Sequence, residues 1–255
     1  MIAYRIALTV TVLAICATPA RSQQPTHNYV IVHGAWGGGW DWRHVDSLLT
    51  ASGNNVYRPT LTGLGERVHL MNSTVDLSTH ITDIVNVIRF ENLRDVVLVG
   101  HSYGGMVISG VVDRIPDRIR HVVYLDAFVP EDGESVLTAM RGLRSETFVR
   151  AMVDSAKNDV IVPSWVPPGA TPPSDVPQPK KAFSEPLRLQ NPAGRRIPAT
   201  YILTVEAGKP EADDDFAPFS RRAKSRGWTH YVLQADHTPE RSAPQELTAL
   251  LRRVP

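Results

Sequence analysis

The sequence of 255 residues is poor in the features that would indicate several common classes of protein. It has a single cysteine, Cys16, which excludes an internal disulfide and a cysteine-rich metal site. Its 27 basic and 26 acidic residues leave a net charge of only +1, with no basic stripe and no acidic tail. We therefore expect no nucleic-acid partner. The histidines also lack metal-ligand spacing with carboxylates, so we expect no metal and no cofactor.

The amino-terminal segment 1–22 has the composition of a signal peptide. The basic stretch MIAYR precedes the apolar run IALTVTVLAICA, which is too short to span a bilayer comfortably. Ala20 and Ser22 provide the small residues before a cleavage site, so we expect cleavage after Ser22; a buried helix and a retained membrane anchor are the alternatives. Cleavage would also remove Cys16 and two arginines, giving a net charge of −1. We predict an exported protein, periplasmic or secreted, without stable membrane association.

Short apolar segments alternate with amphipathic ones along most of the chain. Ile81, Ile84, Val85 and Ile88 have the spacing of one helix face. The apolar segments that predict strands are NYVIVHG (28–34), NVYRP (55–59), DVVLVG (95–100), RHVVYLDAF (120–128), ATYILTV (199–205) and THYVLQ (229–234). Such alternation predicts one α/β domain with about six mainly parallel strands flanked by helices.

The alternation is interrupted between the fourth and fifth predicted strands. We assign residues 23–130 and 198–255 to the core and residues 131–197 to an insertion. Its stretch VPSWVPPGATPPSDVPQP is too rich in proline for a regular helix or a central strand. A disordered linker is one interpretation. Trp165 and Phe183 favour a folded lid instead, because large aromatic side chains need a surface on which to pack.

The segment GHSYGG follows the third predicted strand and precedes a helix. Ser102 lies between Gly100 and Gly104 in the pattern G-x-S-x-G, in the strand-to-helix context that this pattern requires. Such a turn exposes the serine hydroxyl above the carboxyl end of the strand, and its close backbone contacts exclude side chains at the flanking positions. We predict Ser102 as a nucleophile; a purely structural glycine-rich turn is the alternative.

A serine nucleophile needs a base, and His237 has the most suitable position. It follows the last predicted strand, so it should reach the same edge of the parallel sheet as Ser102. His33 and His101 lie in tight turns, where we expect them to orient the backbone. A histidine base in turn needs a carboxylate. We favour Glu206, at the end of the fifth predicted strand, and keep Asp126, near the end of the fourth, as the alternative.

The segment HGAWGGGWDW, after the first predicted strand, should complete the site. An oxyanion hole requires two donors, and we predict the N–H groups of Ala35 and Tyr103. We expect Trp36 and Trp165 to contact the substrate, since an apolar pocket binds mainly by burial of area. Residues 213–215, an acidic run, should begin a helix, where their charge meets the helix dipole.

Together these motifs resemble the α/β-hydrolase superfamily, and in particular small plant methylesterases, hydroxynitrile lyases and bacterial esterases that include pyrethroid hydrolases. The shared segments are VHGAWGGGWDW, GHSYGG, YLDAFVP and ADHTPERSAP. The resemblance implies the fold with an inserted lid, and the roles of Ser102, His237, Ala35 and Tyr103. Relatives usually have an aspartate where this chain has Glu206, which is why Asp126 stays open.

The resemblance also restricts the chemistry. The lyases have a threonine after the HG pair and a lysine after the histidine, where this chain has Ala35 and Thr238. Epoxide and haloalkane hydrolases need an aspartate in place of Ser102. We therefore expect an exported serine esterase, a monomer or homodimer, that cleaves small to medium apolar or aromatic esters. Cleavage of lactones, amides or carbon–carbon bonds, and binding of a ligand without catalysis, are the alternatives.

Overall fold

The structure is a computed structural model that describes residues 26–254. The predicted signal peptide lies outside the described residues. Within them, the strands in chain order are β1 (Asn28–Val32), β2 (Asn55–Tyr57), β3 (Val96–His101), β4 (Ile119–Leu125), β5 (Val160–Ile161), β6 (Gln178–Pro179), β7 (Ala199–Val205) and β8 (Thr229–Gln234). The α-helices are α1 (Arg43–Ala51), α2 (Leu77–Phe90), α3 (Gly104–Arg114), α4 (Val136–Ala139), α5 (Glu146–Asp154), α6 (Lys180–Ser184), α7 (Ala217–Ser225), α8 (Pro239–Ser242) and α9 (Pro244–Leu251).

Six of these strands form one parallel sheet in the order β2-β1-β3-β4-β7-β8. This confirms the predicted six-stranded α/β architecture. Because every strand runs in the same direction, the loops that carry Ser102, Asp126, Glu206 and His237 all leave the same edge of the sheet.

Helices cover both faces of the sheet, and β3 alternates between the two apolar clusters. Val96 and Leu98 pack in the larger cluster, which includes α2 and α3, whereas Val97 and Val99 pack in the smaller one, with α1 and α9. Every residue of β3 is buried. A strand that is covered on both faces needs a continuous apolar sequence, and β3 has one.

The segment between β4 and β7 folds onto the core. It contains α4, α5, α6 and the short antiparallel pair β5–β6. Its buried side chains include Ile161, Phe183 and Leu187, which pack in the larger apolar cluster. The proline-dense residues 162–177 form neither a helix nor a strand, as the proline content predicts, whereas α5 forms before them.

None of the helices within residues 26–254 has the length and apolar composition needed to cross a bilayer.

Candidate active site

Ser102 lies in the sharp turn between β3 and α3. Its backbone is left-handed, with φ of 53°, which costs a residue with a side chain of the order of 1–2 kcal/mol. Two contacts explain the glycines: a Cβ on Gly100 would lie 2.8 Å from the carbonyl oxygen of Gly104, and one on Gly104 would lie 2.6 Å from that of Val32. The tight turn is therefore possible only with glycine on both sides of the serine.

The turn is secured by the next strand. The N–H of Ser102 donates to the carbonyl of Leu125 at 3.2 Å, and the N–H of Phe128 donates to the carbonyl of Ser102 at 3.2 Å. These two bonds offset the backbone strain and place the hydroxyl at the carboxyl edge of the sheet.

His237 reaches the serine from the loop between β8 and α8. Its Nε2 lies 3.0 Å from Oγ of Ser102, and its Nδ1 lies 2.6 Å from Oδ2 of Asp126. These three side chains, separated by up to 135 positions in the sequence, form a continuous hydrogen-bonded chain. The geometry is that of a nucleophile, a base and an acid that orients the base.

Asp126 is positioned by β7 as well as by its own strand. It is 1% exposed, its N–H donates to the carbonyl of Ile202 at 2.7 Å, and its φ of 42° is left-handed. The N–H of Thr204 donates to Oδ1 at 3.2 Å, which leaves Oδ2 for His237. Both carboxylate oxygens of this buried group are thus hydrogen-bonded, as a buried charge requires.

The structure does not pair His237 with Glu206, the carboxylate that the sequence favoured. Oε2 of Glu206 lies 2.7 Å from Nζ of Lys209, and the Glu206 side chain is 56% exposed. Glu206 also lines the cavity, but it is exposed there and its charge is paired with that of Lys209. Asp126 turns inward through its left-handed backbone and takes the position beside the histidine.

Asp126 raises the proton affinity of the His237 imidazole. Burial lowers the pKa of His237, but its hydrogen bond with Asp126 and the charge of that carboxylate outweigh burial, so the pKa lies above its ordinary value. Phe216 stacks on the ring of His237, with the ring centres 4.9 Å apart.

His101 anchors the loop that carries His237. Burial lowers the pKa of His101 to about 3, so its ring is neutral. Its Nε2–H donates to the carbonyl of His237 at 2.6 Å.

The two predicted oxyanion donors, Ala35 and Tyr103, line the same cavity as Ser102. Their N–H groups have no hydrogen-bond acceptor among residues 26–254, so both remain available. Tyr103 immediately precedes α3, where the helix dipole favours negative charge.

His33 orients the peptide that carries the N–H of Ala35. The N–H of Leu61 donates to Nε2 of His33 at 3.1 Å, and burial lowers the pKa of His33 to about 4, so the ring is neutral and its proton is on Nδ1. That Nδ1–H donates to the carbonyl of Gly34 at 2.7 Å. Since the N–H of a trans peptide is opposite its carbonyl, this bond directs the N–H of Ala35 away from His33.

A cavity of about 650 Å³ adjoins the serine. Its aromatic lining includes both predicted contact residues: the rings of Trp36 and Trp165 are 4.9 Å apart, and Trp36 is 5.5 Å from Phe183. Sequence reasoning missed Phe148 and Phe216, which also line the cavity. No local motif distinguishes these two from ordinary core residues.

The acidic run 213–215 lines the cavity and lies just before α7, as predicted: Asp213 ends a short 3-10 helix (Glu211–Asp213), and α7 begins at Ala217. The side chain of Asp214 accepts the N–H of Phe216 at 2.8 Å. Burial, together with the charge of Asp126, raises the pKa of Asp214 to about 6. Among the described residues no group of three or more histidine, cysteine or acidic side chains could hold a metal ion.

A family model described as "Alpha/beta hydrolase family" matches residues 29–250, most of the chain. The chain belongs to the alpha/beta hydrolase family. The resemblance to this superfamily that the motifs indicate is thereby confirmed, and the six-stranded parallel sheet is the core of that fold.

Individual relatives within the alpha/beta hydrolases match to different extents. A carbendazim hydrolyzing esterase from Nocardioides sp. (strain SG-4G) is 55% identical over 113 residues, which is 44% of this chain and 47% of that protein. The first curated relatives are matched over less than half of their own length. A pheophorbidase from Raphanus sativus is 26% identical over 89% of this chain and 93% of its own.

A solved structure with the same fold is an extracellular alpha/beta-hydrolase from a Paenibacillus species. It has a TM-score of 0.74 and 26% identity, and the comparison covers 89% of this chain and 98% of that one. That protein is described as sharing structural and functional homology with tobacco salicylic acid binding protein 2.

Proposed function

We propose that this protein is an exported carboxylic ester hydrolase that acts through an acyl-enzyme on Ser102. One observation carries the proposal: the hydrogen-bonded chain Ser102–His237–Asp126 borders a cavity lined by Ala35 and Tyr103, whose N–H groups have no acceptor within residues 26–254. The carbendazim hydrolyzing esterase among the relatives supports an ester substrate, although it is matched over only part of its length.

In the proposed acylation step, Oγ of Ser102 attacks the ester carbonyl while Nε2 of His237 takes its proton. Asp126 holds the Nδ1–H tautomer and stabilises the imidazolium that forms. The carbonyl oxygen becomes an oxyanion bound by the N–H groups of Ala35 and Tyr103. The carbon–oxygen bond to the alcohol then breaks, and His237 donates its proton to the leaving alcohol.

In the proposed deacylation step, His237 takes a proton from water, and the resulting hydroxide attacks the acyl carbon. The bond to Ser102 breaks, the serine oxygen regains its proton from His237, and the carboxylic acid leaves. Ester and water are the only reactants, so the chemistry balances without a cofactor.

The lining of the cavity favours esters with an apolar or aromatic group. Trp36, Trp165 and Phe183 provide flat apolar surface, and a volume of about 650 Å³ suits a small to medium substrate. The carboxylates Asp214 and Asp215 lie in the same lining, so a neutral ester would enter more readily than an anionic one.

Labelling and turnover test the proposal directly. We expect the protein to react stoichiometrically with a fluorophosphonate and to hydrolyse p-nitrophenyl esters. Ser102→Ala should lose both activities. The control Ser164→Ala, which changes an exposed serine of the lid, should keep both. Turnover that survives in Ser102→Ala would contradict the mechanism. Labelling without turnover of any ester, while lactones or anilides are cleaved, would favour the alternative substrates. The absence of both labelling and turnover would favour a binding protein.

Export is tested separately, by the amino terminus of the protein made in its native host. We expect the mature chain to begin after Ser22 and to be recovered outside the cytoplasm. Recovery of the intact leader from the cytoplasm would contradict this part of the proposal.

A further inference from the structure

The lid residue Gln178 makes an unusual contact for a fully buried glutamine. It is 0% exposed, and its Oε1 accepts the N–H of Trp36 at 3.0 Å. Its Nε2 has no hydrogen-bond partner among the described residues. An unpartnered buried donor lowers stability, so packing alone would not favour an amide at this position. The glutamine therefore needs an explanation other than packing.

The lid holds Trp36 at several points. Besides the bond to Gln178, the carbonyl of Trp36 accepts the N–H of Val176 at 2.9 Å, and its indole Nε1–H donates to the carbonyl of Ile161 at 3.1 Å. Trp36 has a left-handed backbone, with φ of 63°. A residue with a large side chain keeps this conformation only where its surroundings impose it, and here the lid imposes it.

Trp36 follows Ala35, whose N–H we assign to the oxyanion hole. The conformation of Ala35 is set by φ and ψ, the rotations that orient the two peptide planes on either side of its Cα. His33 holds the plane on the amino side through the carbonyl of Gly34, and Gln178 holds the plane on the carboxyl side through the N–H of Trp36. Each plane thus has a buried side chain fastened to it, one from the core and one from the lid.

We propose that Gln178 is a positioning residue for the oxyanion hole, through which the lid aligns the N–H of Ala35 with the reacting carbonyl. The inference rests on the proposed function, because an oxyanion forms only if Ser102 attacks a carbonyl. It assigns the lid a part in the chemical step, in addition to the cover that it provides for the substrate.

Gln178→Met is the test, since methionine has a similar shape and no strong acceptor. We expect kcat to fall roughly 10- to 100-fold, less than the 10²–10³ that follows complete loss of an oxyanion donor. We expect KM to stay within about twofold, because the tryptophan and phenylalanine lining is retained. A boronic acid that forms a tetrahedral adduct with Ser102 should lose affinity by the same factor as kcat/KM.

Stability is the second readout, and it should not account for the loss of kcat. Gln178→Met removes an unpartnered buried amide but leaves the N–H of Trp36 without its acceptor, so the two effects oppose each other and we expect Tm within roughly 2–4 °C of the wild type. Gln178→Glu retains an acceptor oxygen but buries an acid, so it should be less stable than Gln178→Met yet retain a higher kcat. A merely structural role predicts that activity follows stability in both variants.

The matched control is Gln190→Met, the same change at an exposed lid position, and its kcat should equal that of the wild type. The concentration of active sites is taken from the end point of fluorophosphonate labelling, so that misfolded protein does not lower the measured kcat. If Gln178→Met retains the wild-type kcat and boronate affinity in an active esterase, the inference is wrong while the proposed function stands. If Ser102→Ala still turns over, the proposed function itself fails.

Discussion

Replacing Asp126 by asparagine should nearly abolish activity because the structure dictates how the new amide would point. Oδ1 of Asp126 accepts the N–H of Thr204, and only an oxygen can take that position. The NH₂ group of the asparagine would therefore occupy the position of Oδ2, which faces Nδ1 of His237 at 2.6 Å. Nδ1 would have to accept, and the proton of the imidazole would move to Nε2.

A histidine with its proton on Nε2 cannot accept the proton of Ser102. The loss of the correct tautomer in a triad of this kind costs about 10⁴ in kcat, which corresponds to about 5.5 kcal/mol in activation free energy. We expect a decrease of roughly 10³- to 10⁴-fold for Asp126→Asn with a p-nitrophenyl ester at neutral to alkaline pH. KM should change little, since the cavity is retained.

Glu206→Gln is the matched control, because it makes the same chemical change at the exposed carboxylate that the sequence favoured. Glu206 pairs with Lys209 at the surface, so we expect kcat within about twofold of the wild type. Near-normal kcat in Asp126→Asn, or a loss of several orders in Glu206→Gln, would refute the assignment. Circular dichroism and fluorophosphonate stoichiometry would show that each variant is folded.

Two further predictions concern the pH dependence and the backbone strain. Burial lowers the pKa of His237, but the hydrogen bond to Asp126 and the charge of that carboxylate have the larger effect, so the pKa lies above the ordinary 6.5. Only the neutral imidazole accepts a proton, so kcat/KM should rise with pH through a midpoint above 6.5, and a midpoint below 6.5 in a pH–rate profile would contradict the pairing. The left-handed Ser102, with φ of 53°, predicts that Ser102→Gly is more stable than Ser102→Ala by up to about 1 kcal/mol, or roughly 2–4 °C in Tm. Equal or lower thermal stability of the glycine variant would show that the turn is not strained.

Much of the fold was predictable from local patterns. The six segments predicted as strands coincide with the six strands of the sheet, and β3 ends in the G-x-S-x-G pattern that places Ser102 between β3 and α3. Parallel strands bring the loops after them to one edge, which is why His237 could be paired with Ser102 across a long sequence separation.

The acid could not be identified in the same way. Asp126 and Glu206 both follow strands whose carboxyl ends lie at the same edge, so position along the chain does not distinguish them. The decision depends on the left-handed φ of Asp126 and on the bond from Thr204, which aim one oxygen at His237. Neither feature has a local sequence pattern.

The sequence by itself determined the parallel α/β architecture, the serine turn and the histidine, because apolar periodicity and glycine requirements act over a few neighbouring residues. Only the tertiary structure decided which carboxylate meets His237 and which lid residue holds the backbone beside Ala35. Those contacts join Asp126 to His237 and Trp36 to Gln178, pairs more than a hundred positions apart. Contacts at that separation depend on how the whole chain packs, which local patterns do not encode.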